Sequence, residues 1–273
     1  MLSTNFILFF LAIFVTHIMH GVTGFAGTVL AMPFGLMLVG YTSAKPILNV
    51  LGMASGIYVF LGNRKYVDWK ELRKIVVIMG CGILLGILIK DQLLGKEKML
   101  YFVLGAFVIC VSVHGLYKEL IAGRVRNKEG DKTNEAAFTG DVKEDDVASE
   151  SSGRESFKDR LLYLLLPIAG IVHGIFVSGG PLLISYMTKK LPDKNRFRTT
   201  ISTVWIFLNG MVLVDDIRSG YWNISLIISA LVAAPFLFSG LKIGSILYKR
   251  MSQRTFMIMS YVLLLVMGVK LLL

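Results

Sequence analysis

Apolar residues in this chain gather in runs of about 16 to 21 positions with few charges inside, close to the ~20 residues a membrane-spanning helix needs. No other feature limits the fold as strongly. A segment in lipid must satisfy its backbone hydrogen bonds internally, so such runs become helices. They cover residues 5–20, 25–40, 44–62, 75–89 and 99–116, then 161–177, a short piece at 181–188, 199–214, 224–241 and 255–273. The expected fold class is an all-α polytopic membrane protein with ten apolar segments. No positive charge precedes the first run and no small-residue cleavage site follows it, so it is expected to stay as a helix.

With 55% apolar and 17% charged residues, the composition agrees with that class. The formal net charge of +11 invites a nucleic-acid reading. The basic residues, however, lie in the short segments between runs, as loops facing the cytoplasm do. Cys81 and Cys110 fall inside apolar runs and fit neither a disulfide framework nor a metal pattern; both are expected as small buried core residues. No cofactor or metal is expected. From Tyr117 to Arg160 the composition turns polar and charged, too poor in apolar surface to offset its ordering entropy. This divides the chain into a first membrane repeat (1–117), a cytoplasmic flexible linker (118–160, most flexible over about 125–156) and a second repeat (161–273).

The repeats are read from two interruptions. Residues 173–181 are His-Gly-Ile-Phe-Val-Ser-Gly-Gly-Pro, and 153 positions earlier His20, Gly21 and Gly27 match His173, Gly174 and Gly180. The same offset carries Lys45 to Arg198, Trp69 to Trp222, Lys96 to Lys249 and Gly115 to Gly268. Gly and Pro weaken a helix at these points, and paired breaks in two halves point to a transporter binding site. Lys and Arg counts add a direction. Residues 63–74 hold five and their counterpart 216–227 holds one; residues 189–198 also hold five, while their counterpart 36–45 holds only Lys45. Corresponding loops then lie on opposite sides of the membrane, which predicts inverted repeats, each with a broken or re-entrant helix.

A short helix starting after each break would present free N–H groups and a positive dipole end to a small oxyanion. The expected donors come from Gly24 and Gly27 in the first half and from Ser178, Gly179 and Gly180, beside Pro181, in the second. Gly21 and Gly174 permit close approach, and the glycines could equally serve helix packing alone. His20 and His173 are candidates for donating to the anion, carrying a proton or bonding across helices. Lys45 and Arg198 either draw the anion inward or snorkel to headgroups, and Asn49 and Ser202, one turn on, offer neutral hydrogen bonds. Asp91, Asp215 and Asp216 fall at run ends, so the carboxylate signature of a coupled carrier is missing. His17 has no ligand cluster around it, and His114 reads as structural.

His-Gly-(x)5-Gly in the first half, with Gly-Ile-Val-His-Gly-Ile-Phe-Val-Ser-Gly-Gly-Pro and then Lys-Asn-Arg-Phe-Arg-Thr-Thr in the second, resembles the sulfite exporter (TauE/SafE) family of membrane permeases. The resemblance implies about eight spans with two half-helices, an inner-membrane location, and carriage of sulfite, thiosulfate, sulfonates or organic acids. A membrane scaffold is one alternative. An intramembrane enzyme is another, but Ser178 has no acidic residue to orient a base.

Overall fold

Among the described residues, each apolar run of the sequence is helical apart from its ends. The computed structural model describes residues 4–23, 26–93, 95–136, 151–191, 193–247 and 253–273. Among them lie ten α-helices: α1 (Thr4–Thr23), α2 (Ala26–Val39), α3 (Tyr41–Asn63), α4 (Trp69–Leu93), α5 (Glu97–Ala136), α6 (Ser151–Phe176), α7 (Gly180–Lys190), α8 (Lys194–Arg218), α9 (Ile224–Leu247) and α10 (Gln253–Leu272). A 3-10 turn at Arg64–Tyr66 joins α3 to α4. α1, α3, α4, α5, α8 and α9 are long and apolar enough to cross a membrane, whereas α2, α10 and the end of α6 carry shorter apolar stretches. With eleven residues, α7 is about 16 Å long and too short to cross. Of the expected linker, residues 137–150 lie outside the described set, while its flanks continue α5 and begin α6.

Local signals set the helix ends. Asp68 accepts from the N–H groups of Lys70 and Glu71 (both 3.1 Å) and starts α4. Asp193 caps α8 through the Arg196 N–H (2.8 Å), and Asn223 caps α9 through Leu226 (2.9 Å). Gly40 turns the chain from α2 into α3 at φ +77°, a left-handed conformation that glycine adopts without Cβ strain.

Small residues bring the helices together. α1 lies parallel to α9, with Gly240 against Phe14 and Gly244 against Ile18 and Gly21. α6 lies parallel to α4, with Gly170 against Met79 and Gly174 against Ile83. A Cβ on Gly21 would stand 2.6 Å from the Leu241 carbonyl, and one on Gly174 2.7 Å from that of Ile83, so both glycines serve close packing. α3 and α8 are antiparallel: Lys45 meets Asp216, Gly52 meets Asn209, and Gly56 meets Ser202. α5 and α10 are antiparallel too, with Gly105 against Leu272 and Gly115 against Tyr261.

Two apolar cores result. One gathers Phe9, Ile13, Leu48, Leu104 and Leu237 from α1, α3, α5 and α9. The other gathers Ile75, Met79, Leu183 and Leu208 from α4, α7 and α8. Leu84, Leu88, Ile228 and Leu231 are exposed on α4 and α9, an apolar surface suited to lipid. Cys81 and Cys110 are exposed as well, which corrects the buried placement expected of them. In a bilayer protein the outward face is also apolar, so an apolar run does not by itself say which face a cysteine takes. His114 is likewise exposed.

Candidate functional site

The second interruption is stabilised group by group. α6 ends at Phe176, where the last carbonyls of a helix lack intrahelical partners. The Tyr41 hydroxyl donates to the Ile175 carbonyl, and the Ser178 hydroxyl donates to that of Phe176 at 2.9 Å. Val177 N–H reaches back to His173 O at 2.7 Å. Val177 then adopts φ +55°, an outlier for a β-branched residue. Gly179 packs against Ala169 and His173, and α7 begins at Gly180 with Pro181 in its first turn, where a missing N–H costs no helical bond.

A small cavity opens at this break. His20, Thr28, Gly52, His173, Val177, Gly180, Trp205 and Asn209 line it. His20 Nδ1 accepts the Gly27 N–H at 3.2 Å, so the ring proton sits on Nε2. Gly27 has no room for a side chain, because a Cβ there would lie 2.9 Å from both His17 and His20. His173 Nε2–H donates to Asn209 Oδ1 at 2.8 Å, and the ring stacks on Trp205 with 5.0 Å between centroids. Its Nδ1 is buried without a partner, as is His17 Nε2. With neutral histidines no lining residue carries a formal charge. The His20 Nε2–H and the N-terminus of α7 are donors toward the cavity, which suits an anion better than a cation.

Of the expected site residues, His20, His173 and Gly180 come together at the cavity. Gly27, Ser178 and Gly179 shape its rim through the contacts above, and Gly24 lies outside the described residues. Gly21 and Gly174 face neighbouring helices, and Ser202 is buried with its carbonyl against Gly56. Arg198 is exposed.

Lys45 neither lines the cavity nor reaches headgroups. It is fully buried, with Nζ 2.6 Å from Asp216 Oδ1 and 3.2 Å from Asp215 Oδ2. Lys90, also fully buried, lies 2.6 Å from Asp215 Oδ2 and 3.1 Å from Asp91. Arg218 closes the group at 2.9 Å from Asp91 and 3.0 Å from Asp215. Both lysines sit near the Tyr221 ring, at 5.9 and 5.7 Å. Burial, then the Asp215 and Asp216 carboxylates, push the Tyr221 phenol up to about 12. Asp215 and Asp216 do fall at the end of a run, but they are buried where α8 ends against α3 and α4. Asn49 joins the two regions, its Nδ2 donating to Asp216 Oδ2 (3.3 Å) and to the Asn209 carbonyl (3.1 Å).

Sequence reading missed Thr28, Gly52, Val177, Trp205 and Asn209 at the cavity, and Lys90 with the two aspartates in the ion cluster. Asn209 was the legible one, a lone amide inside the apolar run 199–214. Among the described residues, no group of three or more His, Cys, Asp or Glu is placed to hold a metal ion.

The model of the family described as Sulfite exporter TauE/SafE matches residues 8–271. No curated protein and no solved structure matches the chain. A match over nearly the whole helical bundle places the chain in the sulfite exporter TauE/SafE family, whose members are multi-pass plasma-membrane transporters of sulfur-containing anions and not enzymes.

Proposed function

We propose that this protein carries small sulfur-containing anions or organic acids, such as sulfite, thiosulfate or sulfonates, by alternating access at the cavity lined by α1, α2, α3, α6, α7 and α8. The observation that carries this reading is the cavity itself: a lining with N–H donors and no formal charge, at a helix break, drawn from both halves of the chain. His20 and His173 line it together, and so do Gly52 and Trp205, each pair separated by the 153-residue offset.

The halves 1–117 and 161–273 act in this reading as inverted repeats joined by a cytoplasmic segment. Three observations support it. The bounds of α2, α3 and α4 recur in α7, α8 and α9 at nearly the same offset. α1 packs on α9 as α6 packs on α4, which exchanges the halves. The corresponding helices α3 and α8, and α5 and α10, run antiparallel, as inversion requires. One repeat would then rock on the other around the anion.

Thermal stability of the detergent-purified protein, measured against sulfite, thiosulfate, sulfate, taurine, sulfoacetate and simple carboxylates, tests the reading. A concentration-dependent rise with one of them is expected, because a ligand that binds only the folded state stabilises it by mass action. Gly180→Leu should insert normally and lose both the rise and transport. Normal transport by that variant would refute the site.

A further inference from the structure

We propose that the buried cluster of Lys45, Lys90, Asp215 and Asp216 is the proton-coupling site of the carrier, with Asp216 as the group that takes the proton. This rests on the anion-carrier reading above and deepens it. Ionisable side chains inside a bundle are costly to bury and commonly mark ion or proton pathways. Here the charges of Lys45, Lys90 and Arg218 balance those of Asp91, Asp215 and Asp216, so one added proton leaves the cluster with net charge +1.

The second observation is Asn49. Its side chain is fully buried and directed at Asp216, yet its Oδ1 has no hydrogen-bond partner. A protonated Asp216 is a donor that Asn49 Oδ1 can accept after a flip of the amide, which exchanges the Nδ2 bond to the Asn209 carbonyl for a bond from the new O–H. The step is a plain proton binding: an O–H bond forms on the carboxylate with a proton drawn from water, and no other bond breaks. The cluster opens to the surface at its outer edge, where Arg218 is 60% exposed and Asp91 35%.

The charged and titratable groups around Asp216 come from each neighbouring element. α3 supplies Lys45 and Tyr41, α4 supplies Lys90 and Asp91, α8 itself supplies Asp215 and Arg218, and the following connector supplies Tyr221. On α7, Tyr186 and Lys190 face Glu71 and Tyr163 at the opposite end of α8. From the cluster a chain of contacts leads to the anion cavity: Asp216 to Asn49, Asn49 to Asn209, and Asn209 to His173. Protonating Asp216 releases Lys45 from its nearest counter-charge and makes this side of the cavity more positive. Anion binding and proton binding thus favour each other, and by linkage the coupling is reciprocal.

Purified full-length protein in sealed vesicles, with the membrane potential clamped at zero, tests this with thiosulfate, which carries no proton of its own near neutral pH. A dye sealed inside the vesicles reads proton entry. Wild type should take up protons together with thiosulfate, and should accumulate it about tenfold per unit of inward acid gradient if one proton accompanies each anion. In Asp216→Asn the protons moved per thiosulfate should fall to zero. If that variant does not fold, Lys45→Gln/Asp216→Asn, which removes both charges, provides the same readout. Net thiosulfate uptake by wild type into thiosulfate-free vesicles without proton entry would overturn the proton site and leave the carrier reading standing. An unchanged proton-to-anion ratio in a folded variant would also overturn it. Absence of any thiosulfate counterflow in wild type would count against both.

Discussion

The two ends of the antiparallel α3–α8 pair are tied by charges in very different surroundings. At one end Lys45, Lys90, Asp215 and Asp216 are withdrawn from solvent and bonded to one another. At the other, Arg196 is 54% exposed in its pair with Asp68 (2.8 Å), and Lys74 and Tyr186 share the carboxylate of Glu71 (2.7 and 2.8 Å). The 153-residue offset relates Lys45 to exposed Arg198 and Asp216 to Asn63, whose amide donates to Val59 O on its own helix. Matching positions therefore carry different electrostatic weight. Removing one partner from a buried pair leaves an uncompensated charge, whereas an exposed pair is screened by water and salt. Sensitivity to mutation should concentrate at the Lys45 end.

The largest effect is expected for Asp216→Ala, which should cost about 3 kcal/mol, the lower end for a broken buried pair, because Asp215 still faces Lys45. Chemical denaturation of the detergent-purified protein measures it, and Lys45→Met/Asp216→Leu should recover most of the loss. Wild-type stability in the single variant would break the comparison. Between the ends, Asn209→Leu leaves the buried His173 N–H without its acceptor and should cost about 1–3 kcal/mol. It should also weaken the ligand-induced rise in unfolding temperature. At the open end, Tyr186→Phe should cost about 1 kcal/mol through the lost bond to Glu71. Arg196→Ala should cost less than about 1 kcal/mol, a difference that added salt makes smaller still. If the last two matched Asp216→Ala, burial would not be what separates the two ends.

Much of the helical layout was legible because lipid leaves the backbone few options. The run 44–62 appears as α3, 224–241 lies within α9, and the glycines of 173–181 fall at the end of α6 and the start of α7. His20, His173 and Gly180 were legible because they sit at helix interruptions, and the three line one cavity. Trp205 was not, since an indole within an apolar run looks alike whether it faces lipid, a neighbouring helix or a cavity. Lys45 was misjudged for a related reason. A cation near the start of a run is compatible with headgroups, with an anion or with a carboxylate 170 positions away, and nothing local separates these.

The sequence by itself determined that this chain is a multi-pass helical membrane protein, where its helices break, and which family it belongs to. These follow from hydropathy, glycine and proline placement, and motif spacing, which act along the chain. Only the tertiary structure decided which side chains share a cavity, that Cys81 and Cys110 face outward, and that Lys45 and Lys90 are neutralised by Asp215 and Asp216. Helix periodicity gives each residue an angle around its own axis. Which neighbour that angle meets depends on where the glycines of other helices allow close approach.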